Sequence, residues 1–461
     1  MNTSLNQLSS LGVHGSTVSL RRHFVPPAAH LCGVYITTGP RHAAKVTSGS
    51  KTEQLSVCFT RTSPQPAQIM NSNGKSLFNV GYYSIHPDVS LNYQMNRFSD
   101  GSEQMLNEMR EVTPRIKNYA DYTRELLALS EKAYSQNRLL HAACYLRSAE
   151  FFMFPDDRRK NASRLRYIQW MKEYYQIRDS QHFNVPFGDV TMSTYRFTPE
   201  SPIGTIVFFG GFDSYIEELF AHQLYLFQHG LDVITFEGPG QGATLEEGRL
   251  PMSHEWHKPC KAVLDYFKLD DVTLMGYSLG GCLAIRAAAV EARISRVVCD
   301  DIVSDFREFP FRMLAPPARI AVSTLLKLGA SSILSPLIGW KMKTSLVIDW
   351  GVKQGMHTLG AKSPYEFFKK TGAFETRSVS QLVKQDVLLF AGGKDHYVPL
   401  HQFYDQIQTL KNVRSLTARL FTEKEQAQNH CQVGNVELSL QTIIAWITGL
   451  KERDKQMGLS S

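Results

Sequence analysis

The sequence has few cysteines, and none of them is spaced for a metal site or a disulfide framework. Seven cysteines occur in 461 residues, without a C-x-x-C pair. Structural zinc sites need paired cysteines at short spacing, and disulfide-stapled folds need a dense set of them. The sequence therefore argues against both kinds of fold. It indicates a reducing compartment, and we expect a cytoplasmic protein.

Long apolar runs are also absent. A prominent apolar stretch without a charge, residues 328–340, has 13 residues and contains Pro336, whereas a bilayer-spanning helix needs about 20. Residues 1–69 are rich in Ser, Thr, Gly and Pro and lack the apolar block of a secretory signal. We therefore predict no membrane span, and a disordered or irregular extension over residues 1–87. Because this extension is rich in Arg and Ser and poor in acids, an organelle transit peptide is an alternative.

Acidic residues are scarce only at the start of the chain. Residues 1–87 contain seven of the 50 basic residues and one of the 43 acidic ones, which accounts for +6 of the net charge of +7. The remaining residues are close to neutral. A nucleic-acid-binding domain would carry a basic face, so we predict no nucleic-acid partner.

The spacing of apolar residues changes along the chain. Residues between 93 and 179 show apolar positions at spacings of three and four, which predicts helices. Beyond residue 185, short β-rich runs alternate with helical stretches, and this predicts an α/β fold with a mostly parallel sheet. The predicted strands are Gly204–Phe209, Leu231–Phe236, Val272–Tyr277, Arg296–Cys299 and Asp386–Ala391. The alternation lapses between about 301 and 377, which indicates a helical insertion.

The motif with the clearest chemistry is Gly276-Tyr277-Ser278-Leu279-Gly280-Gly281. It follows a predicted strand and opens a helix rich in small residues. A serine in this G-x-S-x-G setting sits on a sharp strand-to-helix turn, and the glycines leave room for the neighbouring chain. We therefore predict that Ser278 is a nucleophile.

A serine nucleophile needs a base and an acid that orients the base. In α/β enzymes of this kind the partners follow in the order Ser, acid, His. Asp395 stands just past the last predicted strand, and His430 is the only histidine after His401. We predict that Asp395 and His430 complete a catalytic triad with Ser278.

An oxyanion hole requires two backbone N–H groups aimed at the developing charge. Leu279, directly after the nucleophile, is expected to supply one of them. The loop Gly210-Gly211-Phe212-Asp213 follows a predicted strand, and we predict that Phe212 supplies the other. Asp213 is expected to face the same pocket as a possible accessory residue, with an open role.

Together these segments resemble the α/β-hydrolases that carry a helical cap before the catalytic domain, such as 2,6-dihydroxypseudooxynicotine hydrolase and fungal polyketide-processing hydrolases of the yellowish-green-pigment, fusarin and cytochalasan types. The segments that carry the resemblance are 92–98, 210–213, 236–242, 276–281, 392–395 and 430–432. The resemblance implies an α/β-hydrolase fold, the triad Ser278, Asp395 and His430, and an acidic residue at position 213 that assists catalysis. Position 213 is Asp here, whereas some relatives have Glu.

With this resemblance we predict the following organisation: an N-terminal extension (1–87), an N-terminal helical cap segment (88–182), the first part of the catalytic domain (183–301), an inserted cap (302–380), the second part of the catalytic domain (381–452) and a tail (453–461).

The function predicted from the sequence is a serine hydrolase that cleaves a bond next to a carbonyl in a polyketide-like secondary metabolite. A general carboxylesterase or peptidase, an acyltransferase and a non-catalytic ligand-binding protein stay open as alternatives. The mechanism requires no cofactor and no metal. The expected partner is a small-molecule substrate, and the sequence leaves open whether the chain forms a homodimer. The apolar residues of the inserted cap favour a bulky apolar substrate; they are Phe311, Met313, Leu314, Ile320, Leu325, Leu326 and Trp340.

Overall fold

The computed structural model describes residues 78–312 and 314–459. The extension predicted over residues 1–87 therefore lies mostly outside the described residues. The first described elements are helices: α1 (Val89–Arg97), α2 (Glu103–Val112), α3 (Tyr119–Ser135), α4 (Leu139–Phe151) and α5 (Lys160–Tyr174). The helices α1 and α2 begin at polar N-cap residues. The side chains of Asp88 and Ser102 accept hydrogen bonds from backbone N–H groups of the first turn, which have no partner within the helix.

The described strands form one sheet in the order β1-β2-β4-β3-β5-β6-β7-β8. Their bounds are β1 (His182–Phe187), β2 (Val190–Phe197), β3 (Gly204–Phe209), β4 (Leu231–Phe236), β5 (Val272–Tyr277), β6 (Ile294–Asp300), β7 (Asp386–Gly392) and β8 (Ser415–Phe421). The pairs β1–β2 and β2–β4 are antiparallel, and the other pairs are parallel. The predicted mostly parallel sheet is thus confirmed, and the sheet extends at both edges beyond the five predicted strands.

Helices cover the sheet and explain why several of its strands are buried along their whole length. These helices are α6 (Phe220–Gln228), α7 (Gly242–Glu246), α8 (His257–Phe267), α9 (Leu279–Ala288), α15 (Leu400–Thr409) and α16 (Val436–Gln456). Every residue of β4, β5 and β7 is buried, as expected for parallel strands that are shielded on both faces. The last helix continues to Gln456, past the expected start of a tail at 453.

A helical insertion separates β6 from β7. Its helices are α10 (Glu308–Arg312), α11 (Pro316–Lys327), α12 (Ser331–Met342), α13 (Leu346–Thr358) and α14 (Pro364–Thr371). This insertion occupies the region where the sequence predicts a cap. In the described part of the chain, no helix is both long and apolar enough to cross a membrane.

Candidate active site

Ser278 occupies the turn between β5 and α9. Its backbone has φ 55° and ψ −120°, a strained conformation for a residue with a side chain. Glycine is required on both sides of this turn. A Cβ at Gly276 would lie 2.0 Å from the carbonyl oxygen of Gly280, and a Cβ at Gly280 would lie 2.8 Å from that of Gly210. The chain therefore pays a conformational cost to project the Ser278 hydroxyl above the sheet edge.

His430 lies between Ser278 and Asp395. Its Nε2 atom is 2.7 Å from the Ser278 Oγ, and its Nδ1 atom is 2.5 Å from the Asp395 Oδ2. Asp395 follows β7, and its other oxygen accepts hydrogen bonds from the backbone N–H groups of Tyr397 and Val398. The structure thus brings together the three residues that the sequence singles out, with the contacts that a nucleophile, base and orienting acid need.

Charge and burial have opposite effects on the pKa values of His430 and Asp395. Burial lowers the pKa of the His430 imidazole, but the charge of Asp395, the neighbouring Cys431 and the hydrogen bonds with both together outweigh burial and hold that pKa well above its usual value of 6.5. Burial likewise raises the pKa of the Asp395 carboxyl, whereas the charge of His430 and its hydrogen bond lower it below its ordinary value. The pair therefore favours a carboxylate beside an imidazolium, the charge state that follows proton transfer from serine.

A second carboxyl group, that of Asp301, lies next to the same imidazole. Its Oδ2 is 3.6 Å from the His430 Nδ1, and it accepts hydrogen bonds from the backbone N–H of Cys431 and the side chain of Gln432. Burial, together with the charge of Asp395, raises the pKa of Asp301 to about 7. Asp301 therefore anchors the loop that carries His430. Sequence reasoning missed it because nothing in the local pattern distinguishes it from Asp300.

The loop after β3 packs directly against the Ser278 turn. A Cβ at Gly211 would lie 2.7 Å from the carbonyl oxygen of Tyr277 and 3.1 Å from the backbone nitrogen of Leu279, so only glycine allows this approach. Phe212 and Leu279 both line the cavity at Ser278. The structure therefore places both predicted oxyanion-hole residues beside the serine.

Gln241 holds this loop from behind, and sequence reasoning missed it. Its Nε2 donates to the carbonyl oxygens of Gly210 (2.6 Å) and Gly211 (3.0 Å). Its Oε1 accepts a hydrogen bond from the N–H of Gly238. Because Gln241 is buried and uses both ends of its carboxamide, it fixes the backbone that must present Phe212. The motif Glu237–Gly242 thus shapes the site from outside the cavity.

Asp213 faces the cavity and forms an ion pair with a residue of α1. The Arg97 guanidinium lies 2.9 Å from the Asp213 carboxylate and 2.8 Å from that of Glu218. Arg147 from α4 also donates to Glu218 and to the backbone carbonyl of Asp213. The cations balance the acids, so the ion pair reduces the repulsion that a bare carboxylate would exert on an oxyanion nearby.

One cavity of about 290 Å³ opens onto Ser278 and His430. The N-terminal helices contribute apolar and aromatic side chains to its wall, among them Leu140, Tyr167 and Met171. The inserted cap contributes Phe306, Phe309 and Trp350. The cavity therefore lies between the sheet domain, the N-terminal helices and the insertion.

The cap residues that line this cavity are not the ones that the sequence emphasised. None of Phe311, Leu314, Ile320, Leu325, Leu326 and Trp340 belongs to its described lining, and Met313 lies outside the described residues. Ile320 and Trp340 are 71% and 62% exposed. The inference of a bulky substrate from these side chains was therefore wrong, because they pack elsewhere in the cap or face outward.

Known proteins resemble this chain in sequence and in fold. Residues 206–421 match the model of the Alpha/beta hydrolase family. The crystal structure of 2,6-dihydroxy-pseudo-oxynicotine hydrolase superimposes with a TM-score of 0.53 at 20% identity, covering 77% of this chain and 94% of that one. The chain has the α/β-hydrolase fold. This confirms the fold that the resemblance implied.

Curated relatives of this α/β-hydrolase-fold chain include fungal proteins. Hydrolyase poxO from Penicillium oxalicum is 29% identical over 208 residues, which are 40% of this chain and 47% of poxO. Hydrolase acrC from Aspergillus aculeatus is 25% identical over 70% of this chain and 83% of acrC. The aligned part of the chain thus spans about half the length of poxO and most of acrC. The predicted resemblance to fungal hydrolases is confirmed.

One group that includes His430 has the residue types of a metal site. Asp301, His430 and Cys431 offer ligand atoms within 4.8 Å of one another. However, both ring nitrogens of His430 already contact Ser278 and Asp395. A metal bound here would have to displace those contacts, so these residues fit the arrangement of a base better than that of a metal centre.

Proposed function

We propose that this chain is a serine hydrolase that cleaves a C–C, ester or amide-type bond next to a carbonyl in a polyketide-like secondary metabolite. The observation that carries the proposal is the position of the His430 imidazole, within 2.7 Å of the Ser278 hydroxyl and 2.5 Å of the Asp395 carboxylate. The similarity to fungal hydrolases supports hydrolysis, and the name of one further relative, 20-hydroxy-prefusarin hydrolase FUS2, supports a secondary-metabolite substrate.

In the proposed mechanism, the Oγ of Ser278 attacks the substrate carbonyl carbon as its proton moves to the Nε2 of His430. The oxyanion that forms accepts hydrogen bonds from the backbone N–H groups of Phe212 and Leu279. His430 then returns the proton to the leaving group, and an acyl-enzyme is left on Ser278. Water repeats the sequence on the acyl-enzyme and frees the acid product.

Features of the cavity wall support an uncharged, largely apolar acyl group. Aromatic side chains surround the serine, and the ion pairs of Arg97 and Arg147 with Asp213 and Glu218 leave little unbalanced charge beside it. The Asp213 carboxylate, whose Oδ1 accepts a hydrogen bond from Arg97, lines the cavity. A hydroxyl or enol on the substrate would find an acceptor there.

The direct test is labelling by a fluorophosphonate followed by mapping of the modified residue. We expect labelling at Ser278 in the wild type, none in Ser278→Ala, and full labelling in Ser135→Ala, a control at an exposed serine. Failure to label folded wild-type protein, or hydrolysis by Ser278→Ala at the wild-type rate, would refute the mechanism.

A substrate panel tests the bond type. β-Diketones and simple acyl esters are offered at matched concentration, and release of both products is followed. Preference for the keto-bearing compounds supports the proposed substrate class, whereas turnover of plain esters alone would make the protein a general carboxylesterase.

A further inference from the structure

The outer face of the inserted cap exposes an unusual amount of apolar surface. Five large apolar side chains on or next to α11 and α12 are between 49% and 74% exposed. They are Ile320, Leu328, Ile333, Leu337 and Trp340, and we call them the cap face. Large apolar side chains that cluster on a surface usually mark a contact site.

The two sides of α12 show that this face is turned outward. Leu334 and Ile338 are buried at 0% and 6% exposure, and they anchor the helix to the rest of the cap. Ile333, Leu337 and Trp340 follow each other at spacings of four and three and so share one side of the helix, next to the buried side. On α11, Val322 is the buried residue. Helix packing within the cap is therefore satisfied without the cap face.

The charge around the cap face has one sign. Residues 309–348 contain five basic residues and no acidic one. The basic residues are Arg312, Arg319, Lys327, Lys341 and Lys343, and among them Arg319, Lys327 and Lys343 are exposed. Beyond residue 87 the chain is almost neutral, so this excess of positive charge is local to the cap.

We propose that the cap face docks on an anionic lipid bilayer and lies in its interface without crossing it. Amphipathic helices that combine Trp and aliphatic side chains with flanking Lys and Arg bind membranes in this way. Apolar side chains enter the acyl boundary, and the cations stay with the acidic headgroups. A second copy of the chain fits less well, because a symmetric contact would bring two equally basic faces together.

Docking through this face would place the cavity close to the membrane surface. The insertion that carries the cap face also provides Phe306, Phe309 and Trp350 to the cavity wall. An apolar compound dissolved in the bilayer would then have a short path to the cavity. The docking itself does not depend on the proposed catalytic function.

The experiment is flotation of the full-length protein with vesicles of phosphatidylcholine alone or with 30% phosphatidylserine, at low and high salt. We expect binding to the phosphatidylserine vesicles, weakened by salt. Two variants test the cap face: Ile333→Ala/Leu337→Ala/Trp340→Ala and Lys327→Glu/Lys343→Glu. Since each basic residue near an anionic surface contributes roughly fivefold in affinity, we expect at least about a 25-fold loss for the charge variant. We expect about a tenfold loss or more for the apolar variant.

Matched controls keep the type of change and move it elsewhere on the surface. Val290→Ala/Leu382→Ala removes apolar side chains that are 60% and 56% exposed, and Lys411→Glu/Lys424→Glu reverses two exposed charges. Both should bind like the wild type, and thermal melts should show that every variant is folded.

The basic residues of 1–87 are present in all these proteins, so they cannot produce a difference between the variants. Binding that persists in both cap variants would overturn the proposal. So would wild-type protein that fails to float. A wild-type dimer that the cap variants abolish, in the absence of vesicle binding, would assign the face to a second copy instead.

Discussion

The Arg97 guanidinium lies 2.9 Å from the Asp213 carboxylate, across 116 residues of chain. This contact joins α1 of the N-terminal segment to the loop that follows β3, and the same guanidinium reaches Glu218. The side chains of Arg97 and Glu218 are 15% and 9% exposed. The N-terminal helices therefore contribute directly to the electrostatics of the site.

Replacing Arg97 with Ala should destabilise the protein. Removal of one partner from a mostly buried pair leaves a carboxylate without its cation, which costs about 2 kcal/mol or more. We expect a loss of this size in the free energy of unfolding measured with urea, and a smaller loss for Arg97→Lys, whose single ammonium cannot bridge both acids as a guanidinium does. Arg110→Ala, at an exposed position of α2, is the control. A loss below about 0.5 kcal/mol for Arg97→Ala would contradict the structural role given to the pair.

The pH dependence of hydrolysis should report the environment of His430. The imidazole must be neutral to accept the serine proton, and Asp395 and Cys431 together hold its pKa well above 6.5 against the effect of burial. We therefore expect kcat/KM of the free enzyme to rise with pH through an apparent pKa above 6.5.

The variant Asp395→Asn tests whether the charge of Asp395 sets the pKa that controls the rate. Removal of the negative charge should move the acidic limb to lower pH, and the rate at its plateau should fall on the order of 10⁴-fold because the imidazole loses its orientation. An acidic limb that lies below pH 6.5 in the wild type, or that does not move in Asp395→Asn, would show that another group controls the rate.

Gln241 offers a test of the oxyanion loop that leaves the triad intact. We expect Gln241→Ala to lower kcat by about ten- to a hundredfold with a smaller change in KM, because the N–H groups at the loop lose their alignment with the transition state. Gln241→Glu should be worse, since a carboxylate would face the carbonyl oxygens of Gly210 and Gly211. Gln228→Ala, at an exposed position, should behave as the wild type. Equal activity of the Ala and Glu variants would argue against the role assigned to Gln241.

Local chemistry explains which parts of this architecture could be predicted from sequence. The turn at Ser278 depends on residues within three positions of it, so the glycine pattern identifies it directly. The central strands could be predicted because they are buried on both faces and are therefore rich in apolar residues.

The strands β1 and β8 at the two edges of the sheet, and β2 next to β1, could not be predicted in the same way. They carry polar residues such as Asn184, Ser193 and Arg419, because one face or edge of each strand meets solvent or a polar partner. Their pairing depends on neighbours that are distant in sequence.

The contacts of the supporting residues of the site could not be predicted, for a related reason. Arg97, Gln241 and Asp301 act through contacts with residues 31 to 130 positions away, and no short motif encodes such contacts. The cap shows the same limit. The composition of the cap indicates an apolar surface. It does not indicate that Trp350 lines the cavity while Trp340 faces outward, because this depends on how the cap helices pack.

Glu217 and Glu237 form a buried acidic group below the loop after β3, and this group should make stability depend on pH. Both are 2% exposed. Burial, and then the charge of Glu217, raise the pKa of Glu237 to about 8, and burial raises the pKa of Glu217. Because the pKa of Glu237 is higher in the folded protein than in the unfolded chain, the folded state binds more protons between about pH 4.5 and 8. The stability that the protonated group provides below pH 4.5 is therefore lost as the pH rises through about 8.

Glu217→Gln removes one of the two acids with little change in shape. The glutamine can keep the acceptor for the Tyr195 hydroxyl, which bonds Oε1, and among the described residues nothing donates a hydrogen bond to Oε2. We expect this variant to unfold at nearly the wild-type urea concentration at pH 5. At pH 9 it should be more stable than the wild type by roughly 1 kcal/mol or more, because Glu237 can then ionise without a charged neighbour. Glu111→Gln, at an exposed position, should have the same free energy of unfolding as the wild type at both pH values. A variant whose stability falls as steeply as that of the wild type between pH 5 and 9 would show that the two acids do not titrate together.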